Sequence, residues 1–133
     1  MQDRHHARPR VLLVEDDPIS RRICEVTLKA HAVDVISIAD GRKISELDDA
    51  FFDLVVMDLH LPGMDGWQVS ELLHERQRQE HIPASRIVAL TTDDRTDARN
   101  RSRDAGIEEH LIKPAGIHRL NEIARELQRH ADL

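Results

Sequence analysis

An α/β fold, with a parallel five-stranded sheet and helices on both faces, is predicted by three features of the sequence. Short apolar runs such as Val11–Val14, Leu54–Met57 and Ile87–Leu90 are apolar at every position. A strand with one wet face would alternate instead, so these runs fit strands buried on both sides. Segments of helical spacing separate the runs, and strand and helix alternate about five times, the pattern of βαβ units. Glycine and proline mark the joins at Pro18, Gly41, Pro62, Gly63, Gly66, Gly106 and Pro114.

Each element follows from its own residues. Val11–Val14 is the first strand, closed by Glu15. Pro18 suits the first turn of a helix, where a missing N–H costs nothing, and Ile19, Ile23, Val26 and Ala30 follow at helical spacing. Val33–Ile38 is β-branched and alternating, a second strand. Ile44, Leu47 and Ala50 predict a short second helix. Leu54–Met57 is the third strand, closed by Asp58. Asp65 is placed to cap a third helix whose stripe is Val69, Leu72 and Leu73. Ile87–Leu90 is the fourth strand, ended by Thr91 and Thr92. A polar fourth helix runs from about Thr96 to Ala105 and stops at Gly106. Ile107–Ile112 is the fifth strand, ended by Lys113 and Pro114. Ile117, Leu120, Ile123, Ala124 and Leu127 form the cleanest amphipathic stripe, the last helix.

The size and charge narrow the function. At 133 residues the chain fits one core, so residues 1–9 are read as a flexible tail or linker and residues 10–133 as one domain. A net charge of −6 disfavours a non-specific nucleic-acid binder, which needs cations against phosphates. Cys24 is the single cysteine, which excludes an internal disulfide and a four-thiolate zinc site. No apolar run approaches the roughly 20 residues of a membrane span, and no secretory signal is visible. A cytoplasmic location is expected.

In such sheets ligands bind beyond the carboxyl ends of the strands. Here those ends carry Glu15, Asp16 and Asp17, then Asp58, then Thr91 and Thr92, then Lys113. Lysine is scarce in this chain, occurring only at Lys29, Lys43 and Lys113, so its presence at this edge carries weight. Taken singly, an acid here is as readily a helix cap or a solvated loop residue. Together they repel, and a divalent cation with hard oxygen ligands, Mg²⁺, relieves the conflict. A metal, an ammonium, a hydroxyl and a carboxylate nucleophile suit phosphoryl transfer through an aspartyl phosphate.

The stretches VLLVEDDP, DLVVMDLHLPGMDG, IVALTT and LIKP, in this order, resemble the receiver domain of two-component response regulators from about Arg10 to Arg129. The resemblance implies a flavodoxin-like doubly wound sheet of order 2-1-3-4-5. It implies that Asp58 accepts a phosphoryl group from a phosphohistidine of a sensor histidine kinase or a histidine phosphotransfer protein. Glu15 and Asp16 match the acidic pair that holds Mg²⁺, with Asp16 the direct ligand and Glu15 acting through water. The backbone carbonyl of His60 matches a third protein ligand, beside Asp58 itself. Thr91 matches the switch hydroxyl, Lys113 the lysine that pairs with a phosphoryl oxygen, and Pro114 a proline often joined by a cis bond. The implied output is protein contact through the face formed by the fourth helix, fifth strand and last helix, with no direct nucleic-acid contact and no membrane insertion. The length is expected to accommodate a receiver without an effector.

Five positions depart from the family's common pattern. Glu15 replaces aspartate, a variant familiar in receivers of hybrid sensor kinases. Thr92 stands where a very small residue is usual and is expected to narrow access. Asp93 and Asp94 are expected to add negative charge beside the entrance and disfavour anionic donors. His110 replaces the aromatic switch residue. Trp67 is read as a packing residue, and the arginines 95, 99, 101 and 103 as either a solvated or a partner-facing stripe. His5 and His6 are read as a solvated pair. An aspartyl-phosphate phosphohydrolase is the alternative enzyme, but its usual second acid falls at His60. A phosphorylation-independent scaffold is the remaining alternative.

Overall fold

A computed structural model of the chain describes residues 8–131. The tail reading for residues 1–7, with His5 and His6, lies outside the described residues. Pro9 is buried, and its carbonyl accepts the Asp34 N–H at 2.9 Å.

Five parallel strands form one sheet: β1 (Arg10–Val14), β2 (Asp34–Ile38), β3 (Leu54–Met57), β4 (Arg86–Thr91) and β5 (Glu109–Ile112), in the order β2-β1-β3-β4-β5. The helices are α1 (Pro18–Lys29), α2 (Gly66–Gln79), α3 (Thr96–Asp104) and α4 (Gly116–Ala131). The predicted second helix is a 3₁₀ helix, Gly41–Glu46, which ends before Ala50. The predicted fourth helix is therefore α3. Val33 and Ile107 precede their strands rather than starting them, although both are buried.

Alternate residues of each central strand feed two separate cores, as a period of two requires. Leu12, Val14, Val55, Met57, Ile87 and Ala89 pack with the 3₁₀ helix, α2 and α3. Val11, Leu13, Leu54, Val56, Val88 and Leu90 pack with α1 and α4. The double coverage explains why these strands read as continuous apolar runs.

The α1 stripe is a correction. Ile19, Ile23 and Val26 are 72%, 51% and 54% exposed, whereas Cys24 and Leu28 are buried. Both sets have helical spacing. Packing against the sheet and α4 selects the narrower Cys24–Leu28 edge and leaves Ile19, Ile23 and Val26 outside.

Local signals act at the helix ends. Asp17 accepts the Ser20 N–H at 2.9 Å, and Pro18 occupies the first turn of α1. Asp65 accepts the Gln68 N–H at 2.9 Å while the Gln68 side chain accepts the Asp65 N–H at 3.1 Å, a reciprocal cap. Gly106, with φ of 85°, ends the α3 segment as predicted.

Gly66 is required by close approach. A Cβ there would stand 2.6 Å from the Asp58 carbonyl oxygen and 2.8 Å from Leu59 Cα. Gly66→Ala should therefore push α2 away from the β3 end, costing about 1–3 kcal/mol, the range for overpacking. Urea unfolding of the variant measures this, and an unchanged midpoint would contradict the close packing.

Candidate functional site

Register brings the acidic residues together. Val14 pairs with both Ile38 and Met57, so β1 and β3 end level. The Asp58 N–H donates to the Val14 carbonyl at 3.0 Å, and the Glu15 N–H to Ile38 at 3.0 Å. Glu15, Asp16 and Asp58 each offer a carboxylate oxygen, all within 4.8 Å of one another. Glu15 is buried, Asp16 exposed and Asp58 intermediate.

Lys113 reaches this cluster from the far side of the sheet. The Thr91 carbonyl accepts the Lys113 N–H at 2.8 Å, which anchors the backbone where β5 ends. Lys113 Nζ pairs with Glu15 and, at 3.1 Å, with Asp58 Oδ2. The following Lys113–Pro114 peptide is cis. Burial raises the Glu15 pKa above its ordinary value; the Lys113 ammonium opposes the shift, and the Asp58 charge adds to it. Burial works against the Lys113 ammonium, but its contacts with Glu15 and Asp58 prevail and leave its pKa raised.

One ammonium does not satisfy the cluster. Among the described residues, Glu15 Oε2 is buried without a hydrogen-bond partner. A buried carboxylate oxygen left unpaired is costly, and a cation beside it removes that cost. The donor set is all oxygen, which fits a hard divalent ion.

The remaining predicted residues surround the cluster. The His60 N–H donates to Asp58 Oδ1 at 3.2 Å, which draws the β3–α2 loop over the carboxylate. The His60 ring points away, its Nε2 2.8 Å from Asp93 Oδ2. Thr91 is fully buried at the end of β4, and its hydroxyl oxygen accepts the Asp93 N–H at 3.2 Å. Its hydroxyl is thus engaged by its own loop rather than by Asp58. Thr92 is exposed. His110 is half-buried, with Nε2 2.6 Å from the Asp93 carbonyl oxygen and Nδ1 3.2 Å from Ser102 Oγ.

The expected excess of negative charge at the entrance is not there. Asp93 pairs with Arg95 at 2.6 Å as well as with His60, and Asp94 pairs with Arg99 at 2.5 Å. The Arg95 guanidinium, then His60, holds the Asp93 pKa well below the carboxylate range. Arg101 lies over the Trp67 ring, 4.2 Å from its centroid. Arg103 donates to Asn100 Oδ1 at 3.0 Å, so all four arginines have local partners that sequence spacing did not single out.

Trp67 is a packing residue as expected, 5% exposed, but its indole N–H also donates to Ser102 Oγ at 3.0 Å. Sequence reasoning missed Ser102. Its signal was a small hydroxyl residue flanked by Arg101 and Arg103 on the short, charge-rich α3, at a position that proves 1% exposed. Among the described residues no helix is long and apolar enough to cross a membrane.

Known proteins are similar to this chain in sequence or in fold. The sensor protein GacS of Pseudomonas syringae pv. syringae is 28% identical over 116 residues, covering 86% of this chain and 13% of that protein. The transcriptional regulatory protein TcrA of Mycobacterium tuberculosis is 32% identical over 123 residues, covering 90% of this chain and 46% of that protein. The chain thus spans less than half the length of either relative. The solved structure of the response regulator DrrB of Thermotoga maritima has the same fold, with a TM-score of 0.78 at 20% identity over 92% of this chain and 54% of that chain. The sequence model of the response regulator receiver domain matches residues 11–125. With that match over most of its length, and with the acidic cluster and lysine at the strand ends, the chain belongs to the response regulator receiver domain family.

Proposed function

We propose that Asp58 is the phospho-acceptor of this receiver and that Lys113, Thr91 and a Mg²⁺ ion serve its phosphorylation. The observation that carries this reading is the Lys113 ammonium shared between Asp58 and the buried Glu15, whose second oxygen has no hydrogen-bond partner. An Asp58 oxygen attacks the phosphorus of a phosphohistidine; the new O–P bond forms as the P–N bond breaks, and the imidazole leaves with the electron pair and takes up a proton. Asp16, Glu15, Asp58 and the His60 carbonyl would hold the ion, which supplies positive charge to the phosphoryl oxygens. Lys113 balances charge on the same oxygens and Thr91 offers a hydroxyl to them.

The donor is a sensor histidine kinase or a histidine phosphotransfer protein, and the setting is cytoplasmic. The resulting change in the Thr91 loop would bias the face made of α3, β5 and α4, where a downstream protein reads it. Ile19 and Ile23 supply the docking surface for the donor. They lie exposed in α1, which starts directly after Asp16 and Asp17, beside the site the phosphohistidine must reach. Substituting either exposed residue by Glu should change stability by less than about 0.5 kcal/mol, as is usual at the surface. Phosphorylation by acetyl phosphate should be unchanged, while transfer from a phosphorylated protein donor should fall about tenfold or more, on the scale of an interface anchor. Unchanged transfer from the protein donor would remove α1 from the interface.

The reading as a whole is tested by intact mass after incubation with Mg²⁺ and either acetyl phosphate or a phosphorylated histidine kinase. One added phosphoryl group supports it; no adduct with either donor rejects it.

A further inference from the structure

Four groups beside the pocket form a hydrogen-bond chain with a single direction. Trp67 Nε1 lies 3.0 Å from Ser102 Oγ, Ser102 Oγ lies 3.2 Å from His110 Nδ1, and His110 Nε2 lies 2.6 Å from the Asp93 carbonyl oxygen. An indole N–H can only donate and a backbone carbonyl can only accept. His110 must therefore carry its proton on Nε2 and donate to Asp93. Its Nδ1 accepts the Ser102 hydroxyl proton, and the Ser102 oxygen accepts from Trp67. The Asp93 carbonyl fixes this polarity for a neutral His110, and Ser102, which takes the Trp67 proton on its oxygen, still has its own hydroxyl proton to give, so every member is satisfied. Ser102 is 1% exposed and Trp67 5%, so water does not replace these partners.

The chain ends on a residue that is held at every other polar atom. The Asp93 N–H donates to Thr91 Oγ1, and its carboxylate receives His60 and Arg95. His60 in turn meets the Trp67 ring edge-on, with centroids 5.8 Å apart and planes at 87°. The contacts thus close a ring through α2, α3, β5 and the two loops that flank Asp58. A histidine at position 110 can make this connection because it donates and accepts at once; an aromatic hydrocarbon ring there could do neither.

We infer that Ser102 and His110 are positioning residues for the chemistry of Asp58, holding the Asp93 carbonyl and through it the Thr91 hydroxyl in place beside the pocket. The inference rests on the proposed role of Asp58. Its physical content is that a serine on α3, remote from the reacting atoms, sets the rate through one directed chain.

The test uses the full chain with ¹⁵N-labelled histidine and tryptophan. Ser102→Ala should shift the His110 Nδ1 signal toward that of a free acceptor and move the Trp67 indole N–H. Phosphorylation by acetyl phosphate should slow about fivefold, the scale of one neutral hydrogen bond. Ser102→Thr keeps the hydroxyl and should restore the rate. His110→Phe should slow it to the same degree, and the double substitution should add nothing, because both cut one chain. Multiplying effects of the two substitutions, or unchanged signals in Ser102→Ala, would overturn the inference. Adduct formation at the wild-type rate in Ser102→Ala rejects the positioning role alone. No adduct in the wild type rejects the role of Asp58 and this one with it.

Discussion

Asp58→Asn is expected to abolish the phosphoryl adduct with both acetyl phosphate and a phosphorylated histidine kinase, while the wild type gains one phosphoryl group. An amide oxygen is a poor nucleophile, and no other acid stands in the same position. Glu15 is buried and engaged by Lys113, and Asp16 is exposed. The substitution also removes one anionic oxygen from a cluster of three carboxylates within 4.8 Å. Mg²⁺ binding, followed by Trp67 fluorescence or calorimetry, should weaken about tenfold or more, since even an outer partner of a metal site is worth that much. Retention of the adduct in this variant would move the phosphorylation site elsewhere. Unchanged Mg²⁺ affinity would remove Asp58 from the ion's ligands.

Lys113→Met should give the largest loss of stability of any single change at the site. The substitution keeps the length and the apolar stem but leaves Glu15 and Asp58 without their shared cation. The side chains of Lys113, Glu15 and Asp58 are 19%, 3% and 15% exposed, so solvent compensates little. Removing one partner of a buried ion pair costs about 3 kcal/mol or more. The pH dependence follows from the pKa directions. Burial already raises the Glu15 pKa, and the Lys113 ammonium is what opposes the shift. Without the lysine the folded-state pKa rises further above the unfolded value. Such a carboxyl favours the folded state below its unfolded pKa and loses that contribution as pH rises through the folded one. The variant should therefore approach wild-type stability in mild acid and fall behind it toward neutral pH. Added Mg²⁺ should recover part of the difference at neutral pH, because a cation again faces the two carboxylates. Thermal unfolding at several pH values, with and without Mg²⁺, measures all three effects. A deficit independent of pH and of Mg²⁺ would show that Lys113 acts through packing alone.

The two variants separate the roles of the same small cluster. Asp58→Asn removes the proposed nucleophile and leaves the Glu15–Lys113 pair. Lys113→Met leaves the Asp58 carboxylate in place and exposes the repulsion that the pair restrains. Adduct formation should therefore be absent in the first and slowed in the second.

The fold and the acidic cluster with its lysine were legible in the sequence because both depend on position along the chain. A strand covered on two faces needs every residue apolar, so Val11–Val14, Leu54–Met57 and Ile87–Leu90 declared themselves. In a parallel sheet whose strands end level, the residue after each run must stand at the same edge. That geometry converges Glu15, Asp58 and Lys113 although 98 residues separate the first from the last. Asp65 and Gly106 were readable for a similar reason: caps act over three or four residues.

Tertiary contact settled what spacing leaves open. In α1, Ile19–Ile23–Val26 and Cys24–Leu28 are both helical stripes, and burial against α4 and the sheet chose the second. Around the start of α3, the arginines that read as either a solvated or a partner-facing stripe and the aspartates expected to charge the entrance close local pairs, Arg95 with Asp93 and Arg99 with Asp94. Most clearly, Trp67, Ser102 and His110 come from three separate elements, and no periodicity links them. Hydrogen bonds need atoms within about 3 Å in a fixed direction, and only the packing of α2, α3 and β5 sets those distances. The acidic edge and the lysine are therefore consequences of chain order. The directed chain behind them is a consequence of side-chain geometry, which chain order does not encode locally.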